Sequence, residues 1–285
     1  MSVSRRFFLA GGLAPAARSL AARGMLAGLK IGVTDWNLRM AGKVEAVALA
    51  KSLGFQGLEV SLGRKPVSDR LPLASPELQA EYLAECARRR IAIAGTCLDV
   101  LHVNYLKSDK LGQKWLADGI PITRRLKARV MLLPFFGKGA LQTRAEMDHV
   151  ADILRELARE AERAHVLLGL EDTLSAEDNV RIMERARSKA VLVYYDVGNS
   201  ANAGFDPLKE LRWLGRQRIC QIHLKDRGYL GAGKLDFRAI LDAIADIGFA
   251  GFVNLETSAP SGSVEEDMRR NLAYLRGLIE QMRRG

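Results

Sequence analysis

Leu168-Gly-Leu-Glu171-Asp172, Val191-Leu-Val-Tyr-Tyr-Asp196, Ile219-Cys-Gln-Ile-His223 and Phe252-Val-Asn-Leu-Glu256 are four short apolar runs within one stretch, Leu167 to Thr257. Each ends on a side chain that can hold a metal ion. The steps from Glu171 to Asp196, to His223 and to Glu256 are 25, 27 and 33 residues. Each step has room for one strand, one helix and two loops. A strand-then-helix unit of that length is the repeat of a (β/α)8 barrel, and such barrels carry their chemistry at the C-terminal ends of the strands. Four strand ends then present four ligand-type side chains at one face.

The rest of the chain continues the alternation. Upstream, short strands are expected over Leu29–Val33, Gly57–Val60, Ile91–Thr96 and Val130–Leu133. Helices are expected over Val44–Leu53, from Ser75-Pro to Arg90, over Ala145–Ala164 and over Ser175–Arg187, with Ser75 and Pro76 forming a typical helix start. Leu111–Lys127 reads as helical but interrupted at Gly119 and Pro121. A short helix after Pro207, one from Asp236 to Ile247 and one over Val264–Met282 complete the pattern. Eight strands alternating with helices predict an α/β fold, a single (β/α)8 TIM barrel over residues 29–285, because crossovers of one hand curl such a sheet closed.

The totals are compatible with one domain: 285 residues, 48% hydrophobic, with no linker-like or low-complexity run after residue 28. The formal net charge is +10, and four of the positive charges (Arg5, Arg6, Arg18, Arg23) lie in the first 24 residues. The remaining surplus sits on helix segments such as Arg88-Arg-Arg90, as expected of solvated helix faces, so no nucleic-acid partner is expected. Three cysteines (Cys86, Cys97, Cys220) are too few for a disulfide framework, and Cys97 and Cys220 read as core thiols. Gly228-x4-Gly233-Lys234 imitates a phosphate-binding loop, but Leu235 stands where the Mg2+-binding hydroxyl is needed.

Residues 1–24 read as a signal peptide ahead of the fold. Ser4-Arg-Arg-Phe-Phe-Leu9 is followed by an apolar stretch too short to span a bilayer and then by small residues. The pattern is similar to a twin-arginine export signal. It implies recognition by the twin-arginine export machinery, a periplasmic mature protein, and no membrane attachment after cleavage.

Two glutamates, an aspartate and a histidine form a hard, oxygen-rich ligand set suited to Mg2+ or Mn2+, with Co2+ or Zn2+ tolerated through the imidazole. Of the other histidines, His149 and His165 read as helix-surface residues, and His102 lies in the loop after the third strand, on the active face.

Gly169-Leu-Glu-Asp172, Tyr195-Asp-Val-Gly-Asn199, Ile222-His-Leu-Lys-Asp-Arg227, Leu230–Phe237 and Val253-Asn-Leu-Glu-Thr257 resemble the motifs of the xylose isomerase-like TIM barrels. The likeness is greatest to the sugar phosphate isomerase/epimerase branch, which includes ketose 3-epimerases. The resemblance covers residue 29 to the end. It implies one divalent metal held by Glu171, Asp196, His223 and Glu256, with Glu171 and Glu256 as the acid/base pair. It also implies a carbohydrate substrate near Arg227, His102, Asn199, Lys225 and Trp36. Barrels of this kind often form homo-oligomers. The chemistry implied is proton abstraction next to a carbonyl through a metal-stabilised enediolate.

Asn199 departs from the family pattern, which often has histidine there; asparagine can bond a hydroxyl but cannot shuttle protons. A three-zinc DNA-repair site of the same superfamily would need more histidines than the chain's four. An exported enzyme is expected to meet a free sugar, a keto-glycoside or a cyclitol-like compound. A keto-sugar lyase or dehydratase on the same site, or a non-catalytic periplasmic sugar-binding barrel, are the alternatives left open.

Overall fold

The computed structural model describes residues 26–284, and the expected signal segment, residues 1–24, lies outside them. Strands β1 (Lys30–Thr34), β2 (Gly57–Ser61), β3 (Ala92–Cys97), β4 (Val130–Pro134), β5 (Leu167–Glu171), β6 (Val191–Asp196), β7 (Ile219–Leu224) and β8 (Phe252–Leu255) form a closed barrel in sequence order. Neighbours are parallel throughout, and β1 meets β8 with Ile31 opposite Val253. Between and after the strands lie α1 (Glu45–Leu53), α2 (Pro76–Arg89), α3 (Lys110–Arg125), α4 (Arg144–Ala164), α5 (Ala176–Ala186), α6 (Val197–Asn202), α7 (Pro207–Arg218), α8 (Phe237–Asp246) and α9 (Val264–Arg284). None of the helices among the described residues is long and apolar enough to cross a membrane.

Strand alternation sorts side chains into two apolar clusters. On β4, Met131 and Leu133 join the large cluster shared with the helices, while Val130 and Leu132 join a small one with Cys97 and Tyr194. The small cluster fills the barrel lumen, and its neighbours Trp36 and Cys220 face the same way. The rest of the lumen is polar: Glu59, Gln221, His223 and Asn254 are all buried there. Gly32 makes this possible, because a Cβ at that position would lie 2.0 Å from Asn254 Oδ1. All three cysteines are free thiols; Cys86 and Cys97 are buried and Cys220 is half-buried.

Local signals account for most helix ends. Ser75 accepts from Leu78 N at the start of α2, and Thr143 with Glu146 forms a capping box on α4. The structure corrects two readings. Helix α3 runs unbroken through Gly119 and Pro121. Gly119 is required by close packing, since a Cβ would lie 2.7 Å from Met131 Sδ. Pro121 is on the exposed face, where water can take the carbonyl that its missing N–H leaves over. The second correction is α6, which was not foreseen: its six residues are too few to show a period, and it is Asp196 that starts it.

Candidate metal centre

Each of the four ligand-type residues is placed by the end of its own strand. Glu171 and Asp196 are the last residues of β5 and β6, His223 is next to last in β7, and Glu256 follows β8 directly. Register holds them level, with His223 beside Asp196 on one side and Asn254 on the other. One donor atom from each of Glu171, Asp196, His223 and Glu256 lies within 4.8 Å of all the others. His223 Nδ1 is 2.9 Å from Glu171 Oε1, 3.7 Å from Asp196 Oδ2 and 3.8 Å from Glu256 Oε2. Asp196 divides its two oxygens. Oδ1 accepts from Asn199 N at 2.7 Å and caps α6, while Oδ2 is buried and faces the Lys225 ammonium 2.9 Å away. Three carboxylates and one imidazole nitrogen with converging donor atoms fit a divalent ion with a preference for oxygen ligands.

The two glutamates are driven apart electrostatically. Burial raises Glu171 well above the ordinary carboxylate range, and the neighbouring acids Glu256 and Asp196 add to this, although His223 pulls the other way. Burial also works to raise Glu256, but the charges of His223 and Lys225, with hydrogen bonds from Lys225 and Trp36, outweigh it and hold Glu256 low. Glu171 thus favours the protonated acid and Glu256 the carboxylate. Burial alone would lower His223, yet Glu171, Glu256 and Glu59 together raise it.

Above these residues opens a cavity of about 280 Å³, at the small end of ligand pockets, which run roughly 300–1,000 Å³. Trp36, His102, Asn199 and Lys225, all named from the sequence, line it together with Glu171 and Glu256. Trp36 Nε1 donates to Glu256 Oε1 at 3.0 Å, and Asn199 Nδ2 donates to Glu171 Oε1 at 3.4 Å. Lys225 Nζ lies 2.7 Å from Glu256 Oε2 and 2.9 Å from Asp196 Oδ2, so it holds the ligand carboxylates as well as facing the cavity. His102 stacks on Phe136, and burial lowers its pKa, so it is neutral at pH 7. Arg227 is the exception: it is exposed and does not line the cavity. Asp226 turns the chain there by accepting from Arg227 N and Gly233 N, which leaves the Arg227 side chain in solvent.

Sequence reasoning missed Arg64 and Phe136, which line the cavity from loops, and Glu59, which is fully buried in β2. Glu59 Oε2 accepts from His223 Nε2 at 2.9 Å, Tyr194 OH at 2.7 Å and Asn254 Nδ2 at 2.9 Å. A lone acid inside an apolar strand run was the available signal.

The wall carrying Arg64 is tied down by two further acids. Asp35 Oδ2 accepts from Gly42 N and Ser61 N, and Asp99 accepts from Ser61 Oγ and Gly63 N. Burial pushes Asp35 up to about 8, partly offset by its two N–H donors. The fold therefore prefers the neutral acid. The stability Asp35 contributes is complete below about pH 4, declines as pH rises, and is lost above about pH 8. Asp35→Asn mimics the neutral form and should be more stable than the wild type at pH 8, by roughly 5 kcal/mol at most, with little difference at pH 4. Urea unfolding of both proteins at the two pH values checks this; parallel pH profiles would show Asp35 to be ionised throughout.

The family model described as xylose isomerase-like TIM barrel matches residues 47–278. An L-ribulose 3-epimerase from Mesorhizobium japonicum is 27% identical over 183 residues, 59% of this chain, and the match spans 60% of that relative's length. Among solved structures, an L-ribulose 3-epimerase superposes with a TM-score of 0.74 at 19% identity, covering 90% of this chain and 96% of the other. A D-psicose 3-epimerase from Clostridium cellulolyticum H10 gives 0.74 at 17%, covering 88% and 99%. A 3-keto-D-glucoside 4-epimerase from E. coli gives 0.71 at 18%, covering 87% and 99%. At these identities the superpositions bear on the fold alone.

Proposed function

The chain belongs to the xylose isomerase-like TIM barrel family, and from that premise we propose that it is a divalent-metal-dependent isomerase or epimerase of a sugar or keto-sugar. One observation carries the reading: four donor atoms from the ends of β5 to β8 converge within 4.8 Å of one another, under a cavity lined by two of the same residues, Glu171 and Glu256. When bound, a divalent ion such as Mn2+, Mg2+, Co2+ or Zn2+ supplies Lewis acidity that eases charge build-up on the substrate carbonyl oxygen.

The chain's own residues supply the proton chemistry. Glu256, held as a carboxylate by His223 and Lys225, takes the proton next to the carbonyl. Glu171, the other carboxyl group on the cavity wall, returns one. Trp36 fixes the Glu256 carboxylate, and Asn199 and His102 offer neutral partners to hydroxyl groups. The relative named L-ribulose 3-epimerase supports a ketose as the substrate class.

Incubation of the metal-loaded protein with ketoses and keto-glycosides in heavy water tests the proposal. Metal-dependent deuterium incorporation next to the carbonyl, with an epimer or isomer formed, supports it. A dehydrated product would assign the site to a lyase, and tight sugar binding without exchange would make the barrel a binding protein. The Ser4-Arg-Arg-Phe-Phe-Leu9 pattern supports export of the mature enzyme. Recovery of the full-length chain from the cytoplasm alone would rule that out.

A further inference from the structure

His223 is the one nitrogen donor in the candidate centre, and a neutral imidazole offers a metal only one of its two nitrogens. The other must carry the hydrogen. In this barrel that choice is made from below. Nε2 lies 2.9 Å from Glu59 Oε2, and both side chains are fully buried. The acceptor is itself fixed from two further strands. Tyr194 OH donates to the same oxygen at 2.7 Å and Asn254 Nδ2 at 2.9 Å, with Asn254 also donating to Tyr194 OH at 2.8 Å. Three donors thus converge on one oxygen and fix its position beneath the imidazole. Gly32 leaves the space in which Asn254 crosses the lumen. Tyr194 packs beside the imidazole with ring centroids 4.4 Å apart, which holds the ring plane.

We propose that Glu59 is the positioning residue of the centre: it binds the His223 Nε2 hydrogen and so dedicates Nδ1, which faces Glu171, Asp196 and Glu256, to the metal. Glu59 does not line the cavity, and it acts on the ligand cluster through the His223 imidazole. A carboxylate bonded to the far nitrogen also makes the near one a better donor, and loss of such partners typically weakens metal affinity by about 10–100-fold. The inference rests on the metal-site reading of the proposed function, and it adds a carboxylate that contacts no ligand other than His223.

The test is Glu59→Gln. The amide oxygen can still accept from Tyr194, Asn254 and His223, and the amide nitrogen falls where Glu59 Oε1 has no partner. The variant removes the charge with little change in shape. Titration calorimetry with Mn2+ should show binding about 10-fold or more weaker than in the wild type, with thermal unfolding without metal unchanged. The imidazole N–H proton resonance of His223, far downfield against a carboxylate, should move upfield. Tyr194→Phe removes one donor to Glu59 but not the charge, and should bind Mn2+ within about threefold of the wild type. Wild-type affinity in Glu59→Gln overturns the proposal. If that variant does not fold, absence of the downfield resonance in the wild type overturns it instead. A wild type that binds no Mn2+ sinks the metal reading and this inference together; a wild type that binds, beside an unaffected Glu59→Gln, sinks this inference alone.

Discussion

Glu256→Gln should cut exchange of the substrate's α-proton with solvent by about 10²–10⁴-fold, the usual contribution of a positioned general base. The side chain is 18% exposed at the cavity wall and accepts a hydrogen bond from Trp36 Nε1 that an amide oxygen can also accept, so the fold should survive. What the amide cannot do is take a proton. It also gives up the charge that sits 2.7 Å from Lys225 Nζ and 3.8 Å from His223 Nδ1. Because Glu256 is also a proposed metal ligand, the assay is run with Mn2+ saturating the variant, where the loss should fall on kcat more than on KM. Wild-type exchange in this variant would move the base elsewhere, and Glu171 would be the next residue to change.

Asp196→Asn should abolish stoichiometric metal binding, and with it the stabilisation that metal gives. Saturating an ion at about 100 times its Kd adds roughly 2.7 kcal/mol, or about 5–10 °C of Tm for a barrel of this size. Elemental analysis and thermal unfolding with and without Mn2+ read both effects. The amide oxygen keeps the bond to Asn199 N that starts α6, whereas Asp196→Ala loses that cap as well and should pay about a further 1 kcal/mol. Burial raises the pKa of Asp196 even with Lys225 and His223 beside it, so its charge is a net cost without metal. Asp196→Asn without metal should therefore be at least as stable as the wild type without metal. One ion per chain in both variants would disprove the four-ligand set.

The barrel and the convergence of Glu171, Asp196, His223 and Glu256 were legible because both are written in periods. Each ligand closes an apolar run, and the runs recur at strand-plus-helix intervals. Glu59 was not legible, because a single acid in Gly57-Leu-Glu-Val60 says nothing of a partner 164 positions away. Arg64 and Phe136 reach the cavity from loops, where no period exists to follow. The motif around His223 placed Arg227 near substrate; the side chain is exposed and does not line the cavity. Pro121 read as a break because sequence cannot tell on which side of a helix a proline ring will fall.

The pairing of β1 with β8 also orders events in the life of the chain. Translation makes the first strand early and its partner near the end, and Glu256 leaves the ribosome after the other three ligands. A nascent chain therefore cannot assemble the proposed metal site in its mature arrangement before Glu256 has been made. Until then β1 presents an unpaired edge, a template for joining other chains. A product that stops short of Phe252 should appear as aggregate, not as a weakly active fragment.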